Sequence, residues 1–279
     1  MDKKILNRQQ IEKFQEYLRE EEKSQVTIKK YLRDVRFFMV YAGEKEITKE
    51  LVISYKESLL EKGYAARSIN SMLASLNSFL EFLSWTECKV KNIRTQKMVY
   101  CSEEKELTKE EYLRLLKAAK EKTQLKLVMQ TICSTGIRVS ELKYFTVEGV
   151  KRGEVSVKCK SKVRTILIPG KLRKRLLDYA RKEKISSGAI FITKSGKNLD
   201  RSNIWAQMKK LCKAAGVNPK KVFPHNLRKL FARTFYGIEK DIAKLADILG
   251  HSSIETTRIY IITTGEEHRR KIERLGLVV

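Results

Sequence analysis

The stretch LADILGHSSIETTRIY, Leu245 to Tyr260, places a helix stop, a histidine, a helix start and a tyrosine within one short run. Gly closes helices because it accepts left-handed backbone, so Gly250 ends one helix and leaves His251 in the turn. Ser252 or Ser253 can cap the next helix, which carries Tyr260 in or near its last turn. The expected elements are Asp241–Leu249 and Ile254–Ile261. A tyrosine is ordinarily a core or surface filler. It becomes a nucleophile only where its phenol, of reference pKa ~10, sits in a cationic pocket that stabilises the phenolate.

Two segments upstream could supply such cations. In FPHNLRKLFARTFY, Phe223 to Tyr236, Pro224 suits the first helical position. His225 and Arg228 then lie one turn apart near a helix N-terminus, where anions are favoured, while Leu227, Leu230 and Phe231 form the buried stripe. His225 either serves a phosphate or is a structural histidine. In TGIRVSEL, Thr135 to Leu142, Gly136 ends a helix and Arg138 begins the next, with Glu141 on the same face. Arg138 can clamp a phosphate through paired hydrogen bonds, or the two residues form a surface ion pair.

Between these segments, EVSVKCKSKVRTILI (residues 154–168) reads as a β-hairpin with a basic tip at Lys160, Ser161 and Lys162. Ala189 to Thr193 is a third strand candidate. Helices are expected over Leu172–Lys182 and, behind an Asp200 cap, over Arg201–Ala215. Thr108 and Glu111 form a capping box that opens a helical region continuing through Leu127, Val128 and Ile132 to Gly136.

The first hundred residues carry another pattern. Ile28, Tyr31, Leu32, Val35, Phe38 and Met39 recur at helical spacing, as do Ile69, Met72, Leu73, Leu76, Phe79, Leu80 and Leu83. Shorter stripes over Ile11–Leu18 and Leu51–Leu60, with stops at Gly43 and Gly63, complete a four-helix unit. Thr86 to Glu106 reads as an exposed connector, dividing a helical domain, 1–100, from a second domain, 101–279. The fold class is mainly α, with an α+β second domain holding a small hairpin or sheet.

Charge narrows the function. The 279 residues include 59 Lys or Arg against 33 Asp or Glu, a formal net charge of +26, and the 42 % hydrophobic content is enough for real cores. Residues 1–100 hold 19 basic and 14 acidic side chains, so most of the excess lies in the second domain. A folded protein that seeks polyanions follows, with nucleic acid the main partner, since neutralising phosphates releases counterions. No apolar run approaches the ~20 residues that span a bilayer, and MDKKILNRQQ lacks a signal-peptide core. Cys88, Cys101, Cys133, Cys159 and Cys212 form no close pair. They read as reduced thiols of a cytoplasmic protein, without metal-ligand spacing.

Taken together, Arg138 within TGIRVSEL, the basic hairpin, HNLR (His225 to Arg228), LGH (Leu249 to His251) and Tyr260, in this order, resemble the tyrosine recombinases, the phage-integrase-like site-specific DNA recombinases. The resemblance implies a helical core-binding domain that contacts DNA, followed by a catalytic domain. It implies that Tyr260 attacks a DNA phosphate to give a 3′-phosphotyrosyl link and a free 5′-hydroxyl. Arg138 and Arg228 would hold the non-bridging oxygens, and His225 and His251 would assist, with Glu141 orienting the set. A hairpin lysine, Lys160 or alternatively Lys162, would protonate the leaving oxygen. No cofactor or metal is implied.

The implied partners are double-stranded DNA and three further copies, a homo-tetramer on two duplexes, in a cytoplasmic, nucleoid-associated setting. The tail after Tyr260, with Ile272, Leu275 and Leu277, would dock on a neighbouring protomer or else pack on its own domain. With no arm-binding domain before the helical unit, the chain looks like the simpler Xer-type or mobile-element members. It departs from the family pattern at Lys229, where another histidine is common. A type IB topoisomerase-like activity would use a similar residue set, and strand exchange between duplexes separates the two.

Overall fold

Apolar stripes at helical spacing each need a partner face, and in the N-terminal part of the chain four helices supply one another's. The computed structural model describes residues 3–95, 103–159, 162–262, 269–270 and 272–275. It divides into two units, Met1–Lys97 and Met98–Val279.

In the first unit α1 (Arg8–Glu20), α2 (Gln25–Ala42), α3 (Lys49–Glu61) and α4 (Ala66–Phe82) follow one another through short turns. Asn7 and Gln10 form a capping box, each side chain accepting from the other's backbone N–H at 2.9 Å. Ser24 and Thr48 cap α2 and α3. The expected stripes are the core: Ile28, Leu32, Val35 and Phe38 of α2 meet Ile69, Leu73, Leu76 and Phe79 of α4 around Phe14, Leu18 and Leu59. The Phe14 ring lies 5.0 Å from that of Phe79.

The segment after α4 differs from the exposed connector expected from Thr86. Cys88 and Val90 are buried. Asn77 brackets Val90, donating to its carbonyl at 2.9 Å and accepting from its N–H at 3.1 Å. Asn70 does the same for Ile93. A side-chain amide offers both donor and acceptor, so each asparagine satisfies an extended residue as a neighbouring strand would. The chain therefore stays on the first unit at least to Ile93.

In the second unit the Thr108–Glu111 capping box opens α5 (Lys109–Ala118). The single helical region expected from there to Gly136 is interrupted: a turn over Ala119–Lys122 precedes α6 (Thr123–Thr135), because the polar run Lys120, Glu121, Lys122 has no apolar contact to bury. A 3₁₀ segment, Val139–Tyr144, and α7 (Val147–Arg152) lead to β1 (Glu154–Cys159) and β2 (Lys162–Leu167). The two strands pair antiparallel with Val157 opposite Arg164 and Cys159 opposite Lys162. Val155, Val157 and Ile166 are buried, and two-residue alternation puts Arg164 on that same face.

Ala189 to Thr193 is not a third strand. Among the described residues it makes only single bridges, Thr146 with Ala189 and Ile192 with Asn198, and the sheet has two strands. Ile190 and Phe191 are both buried, so the segment is a core-crossing connection without a strand's two faces.

Then come α8 (Gly170–Lys182), α9 (Arg201–Lys210), α10 (Cys212–Ala215), α11 (Pro224–Glu239), α12 (Ile242–Leu249) and α13 (Ile254–Ile261). The Arg201–Ala215 helix is thus divided at Leu211. α11 packs on both α6 and α13. In the tail, Arg269–Arg270 and Ile272–Glu273 have helical backbone, and Ile272 and Leu275 are exposed. Leu277 and Lys160 lie outside the described residues. Among the described residues no helix is long and apolar enough to cross a membrane.

Candidate active site

The site is assembled at two helix C-termini. Gly136 ends α6 at φ +65° and Gly250 ends α12 at φ +63°, turns that expose the last carbonyls of each helix. Those carbonyls carry the negative end of the helix dipole and draw guanidinium groups. Arg228 of α11 donates from Nη1 to the Gly136 carbonyl and from Nη2 to the Leu249 carbonyl at 2.7 Å. Arg138 Nη2 reaches the Gly250 carbonyl at 3.3 Å, and Arg164 Nη1 reaches that of Ile248 at 2.5 Å.

Glu141 locks two of these arginines together. Its buried carboxylate accepts from Arg138 N at 2.7 Å and Nη1 at 3.1 Å, and from Arg164 Nη2 at 2.6 Å. The pair expected from sequence is present, but it is no surface contact, since Glu141 is only 4 % exposed. Gly250 also makes room: a Cβ there would fall 2.8 Å from Arg164 Cδ.

Tyr260 ends up against this cluster because it faces inward in the last turn of α13, at 8 % exposure. Its ring centroid is 5.1 Å from that of His225 and 4.9 Å from that of His251. Arg228 Cζ lies 5.9 Å from the same ring. His251 Nε2 sits 3.0 Å from Arg228 Nη2, and its Nδ1 2.9 Å from Thr257 Oγ1. Ser253, rather than Ser252, caps α13.

The electrostatics follow from this crowding. Partial burial, then the charges of Arg228 and its cationic neighbours, lowers the pKa of His225 to about 4. His251 is lowered to about 4 by burial, then by Arg228, Arg138, Arg164 and His225. Both rings are neutral at pH 7. Burial, then Arg138, brings Arg228 down to about 10, which still leaves it charged. Two guanidinium groups thus share the Glu141 carboxylate, and a third, that of Arg228, is held on backbone carbonyls. Arg228 Nε is buried and has no hydrogen-bond partner among the described residues, an unmet donor of the kind an anion satisfies. Among the described residues no group of acidic, His or Cys side chains could hold a metal.

Arg138, Glu141, His225, Arg228, His251 and Tyr260 are therefore brought together, although they come from three separated segments. Lys160 cannot be added, and of Lys162 only the backbone pairing with Cys159 is described. Two participants escaped sequence reasoning. Arg164 reads as one more base in a basic hairpin, and its signal was the alternation that puts it on the face of Ile166. Thr257 had no signal beyond its position one turn before Tyr260. Lys229 turns to the chain entering this unit: it pairs with Glu106 at 3.0 Å, and Arg233 pairs with the same carboxylate at 2.8 Å.

Comparison with known proteins decides what this constellation is. The model of the phage integrase family matches residues 105–267, and that of the phage integrase N-terminal SAM-like domain matches residues 11–87. The chain belongs to the phage integrase family, the tyrosine recombinases. It is thus a site-specific recombinase, an enzyme that cuts and rejoins DNA strands.

Among the recombinase's relatives is the tyrosine recombinase XerA of Pyrococcus furiosus. The two are 30 % identical over 286 aligned positions, which cover 100 % of this chain and 98 % of that one. A crystal structure of XerA recombinase is 26 % identical with a TM-score of 0.53, covering 97 % of this chain and 99 % of that one. A lambda integrase tetramer bound to a Holliday junction is 19 % identical with a TM-score of 0.72, covering 90 % and 76 %, and it shares the fold.

Proposed function

We propose that Tyr260 is the nucleophile of a metal-independent strand transfer. The phenol oxygen forms a bond to phosphorus as the bond from phosphorus to the 5′-oxygen breaks. The products are a 3′-phosphotyrosyl link and a 5′-hydroxyl. The observation that carries this reading is the packing of Tyr260 against two neutral imidazoles and a buried guanidinium with a spare donor.

Arg138 and Arg228 hold the non-bridging oxygens and offset the charge of the transition state, work that metal ions do in other phosphoryl transfers. Glu141, with Arg164, orients Arg138. A neutral imidazole at His225 or His251 can accept the phenol proton. The anionic phosphate then pulls both histidine pKa values back up. The leaving 5′-oxygen takes its proton from Lys160, with Lys162 the alternative. When the 5′-hydroxyl of another strand attacks the phosphotyrosyl link, the same steps run in reverse and strands are exchanged.

Residues 1–100 serve as the core-binding domain and 101–279 as the catalytic domain. Exchange between two duplexes needs four cleavages, so four copies act together on double-stranded DNA. The exposed Ile272 and Leu275 favour docking of the tail on a neighbouring protomer. The setting is the cytoplasm, at the nucleoid.

The test is to incubate the chain, in EDTA, with fragmented DNA from its own genomic neighbourhood and to collect detergent-resistant adducts. The expected result is an adduct mapping to Tyr260 and absent from Tyr260→Phe, which still binds DNA. Adducts undiminished in the Phe variant would refute the assignment.

A further inference from the structure

Thr257 is fully buried, and together with Tyr260 it makes up the inward face of α13. Its hydroxyl lies 2.9 Å from His251 Nδ1 while His251 Nε2 lies 3.0 Å from Arg228 Nη2. An arginine can only donate, so Nε2 must be the accepting nitrogen. In a neutral imidazole the proton is then on Nδ1, which donates to Thr257 Oγ1. We propose that Thr257 is a positioning residue that acts with Arg228 to fix the tautomer of His251, so that the helix bearing the nucleophile also helps to set the proton state of the histidine beside it.

The consequence rests on the strand-transfer reading above. With Nδ1 occupied, a proton leaving the Tyr260 phenol for His251 lands on Nε2. That nitrogen then changes from acceptor to donor, and its contact with Arg228 Nη2 becomes donor against donor. Arg228 is released towards the phosphate as the negative charge there develops, and Nε2–H can follow it. Without Thr257, or with α13 undocked, Nδ1–H has no acceptor, and the Arg228 contact alone holds the ring against the other tautomer. In that other tautomer Nε2 carries the proton before the reaction and cannot receive one.

Among the described residues the groups facing His251 are Arg228 and His225 from α11, Arg138 at the head of the 3₁₀ segment, Arg164 from β2 and Tyr260 from α13. The charged ones named here are cations, which accounts for a neutral ring. Arg228 makes Nε2 the acceptor, and Thr257 gives the proton on Nδ1 the acceptor it needs, so the two contacts together hold one tautomer.

Long-range proton–nitrogen correlation on the ¹⁵N-labelled full chain at pH 7, assigned with His251→Gln, reads the tautomer directly and needs no DNA. The expected result is an Nδ1-protonated ring in the wild type and in Thr257→Ser, and a substantial Nε2-protonated population in Thr257→Val. On a nicked duplex carrying the mapped site, cleavage by Thr257→Val should slow by about 10- to 100-fold, the usual cost of losing a group that orients a functional histidine.

Thr257→Ser should recover most of that rate, and the pH profile of the Val variant should shift while its DNA affinity does not. An Nε2-protonated wild type, or a Val variant with the wild-type tautomer and rate, would overturn the proposal. Absence of any Tyr260 adduct would instead count against the strand-transfer reading and leave the tautomer result standing.

Discussion

Asp34 in the first unit and Glu141 in the second are both buried carboxylates held by two cations, yet they are built differently. Asp34 draws Lys30 and Arg33 from its own helix, at 3.0 and 2.8 Å, and adds Ser75 from α4. Glu141 takes Arg138 from its own turn but Arg164 from a strand 23 residues on. The other site bonds reach further still: 112 residues from Arg138 to Gly250 and 92 from Arg228 to Gly136. A helical bundle can settle a buried charge mostly within one turn. A site that gathers several cations cannot draw them all from a single helix without their repulsion, so the second unit recruits them from distant segments and holds each on a backbone carbonyl.

Removing one of those cations is the most severe way to break the comparison. Arg228→Ala should cost about 3 kcal/mol of transition-state stabilisation, by analogy with a lost oxyanion donor, seen as a loss of more than a hundredfold in adduct formation. DNA binding, carried by the remaining positive surface, should survive in filter or gel assays. An adduct rate within tenfold of wild type would mean that the long-range cluster is structural only.

A finer comparison uses two helix-ending glycines with similar backbone. Gly216, which ends α10 at φ +58° and ψ +42°, has nothing within 4 Å of an added Cβ, whereas at Gly250, φ +63° and ψ +47°, the Cβ would meet Arg164 Cδ at 2.8 Å. Gly216→Ala should cost the left-handed backbone penalty of about 1 kcal/mol in denaturant unfolding. Gly250→Ala should cost about 2 kcal/mol, because the arginine must also move. It should slow adduct formation too, and equal costs would show that Arg164 is not tightly placed.

The smallest effect is a pH dependence confined to one unit. All three histidines, His225, His251 and His268, follow residue 98, and of the two tryptophans Trp85 lies in the first unit and Trp205 in the second. His225 and His251 titrate near 4 when folded, below the ordinary value of 6.5. Between those values the unfolded chain binds more protons than the folded one. Their contribution to stability is therefore full above about pH 6.5 and declines as pH falls towards 4. Unfolding followed at Trp205 in a Trp85→Phe chain should weaken from pH 7 to 5, and His225→Gln with His251→Gln should flatten the trend. Trp85 in the reciprocal chain should report no such histidine effect.

How much was legible follows from the range of each interaction. The stripes of α2 and α4, the Thr108–Glu111 box, the Asp200 cap and the helix stops at Gly136 and Gly250 are contacts within a turn or two, and all appear where the residues put them. Asn70 and Asn77 were not legible as clamps, because an asparagine in a helix shows no sign of which distant backbone it will bracket. The strand assignment for Ala189–Thr193 failed for a related reason: an apolar run of five looks the same whether it pairs in a sheet or crosses a core. Lys229 looked like a departure at the site and proves to be a tether to Glu106.

The sequence by itself determined the helices, the hairpin, the excess of positive charge and the chemical cast of Arg138, Glu141, His225, Arg228, His251 and Tyr260, since residue type and local spacing carry that information. Only the tertiary structure decided that Arg164 belongs with Glu141, that Arg228 keeps a buried donor unmet, and that Thr257 faces His251. Those facts depend on which helix ends and strand faces meet across the fold. Their physical root is the low-dielectric interior, where every buried charge and hydrogen-bonding group must find a partner wherever in the chain that partner lies.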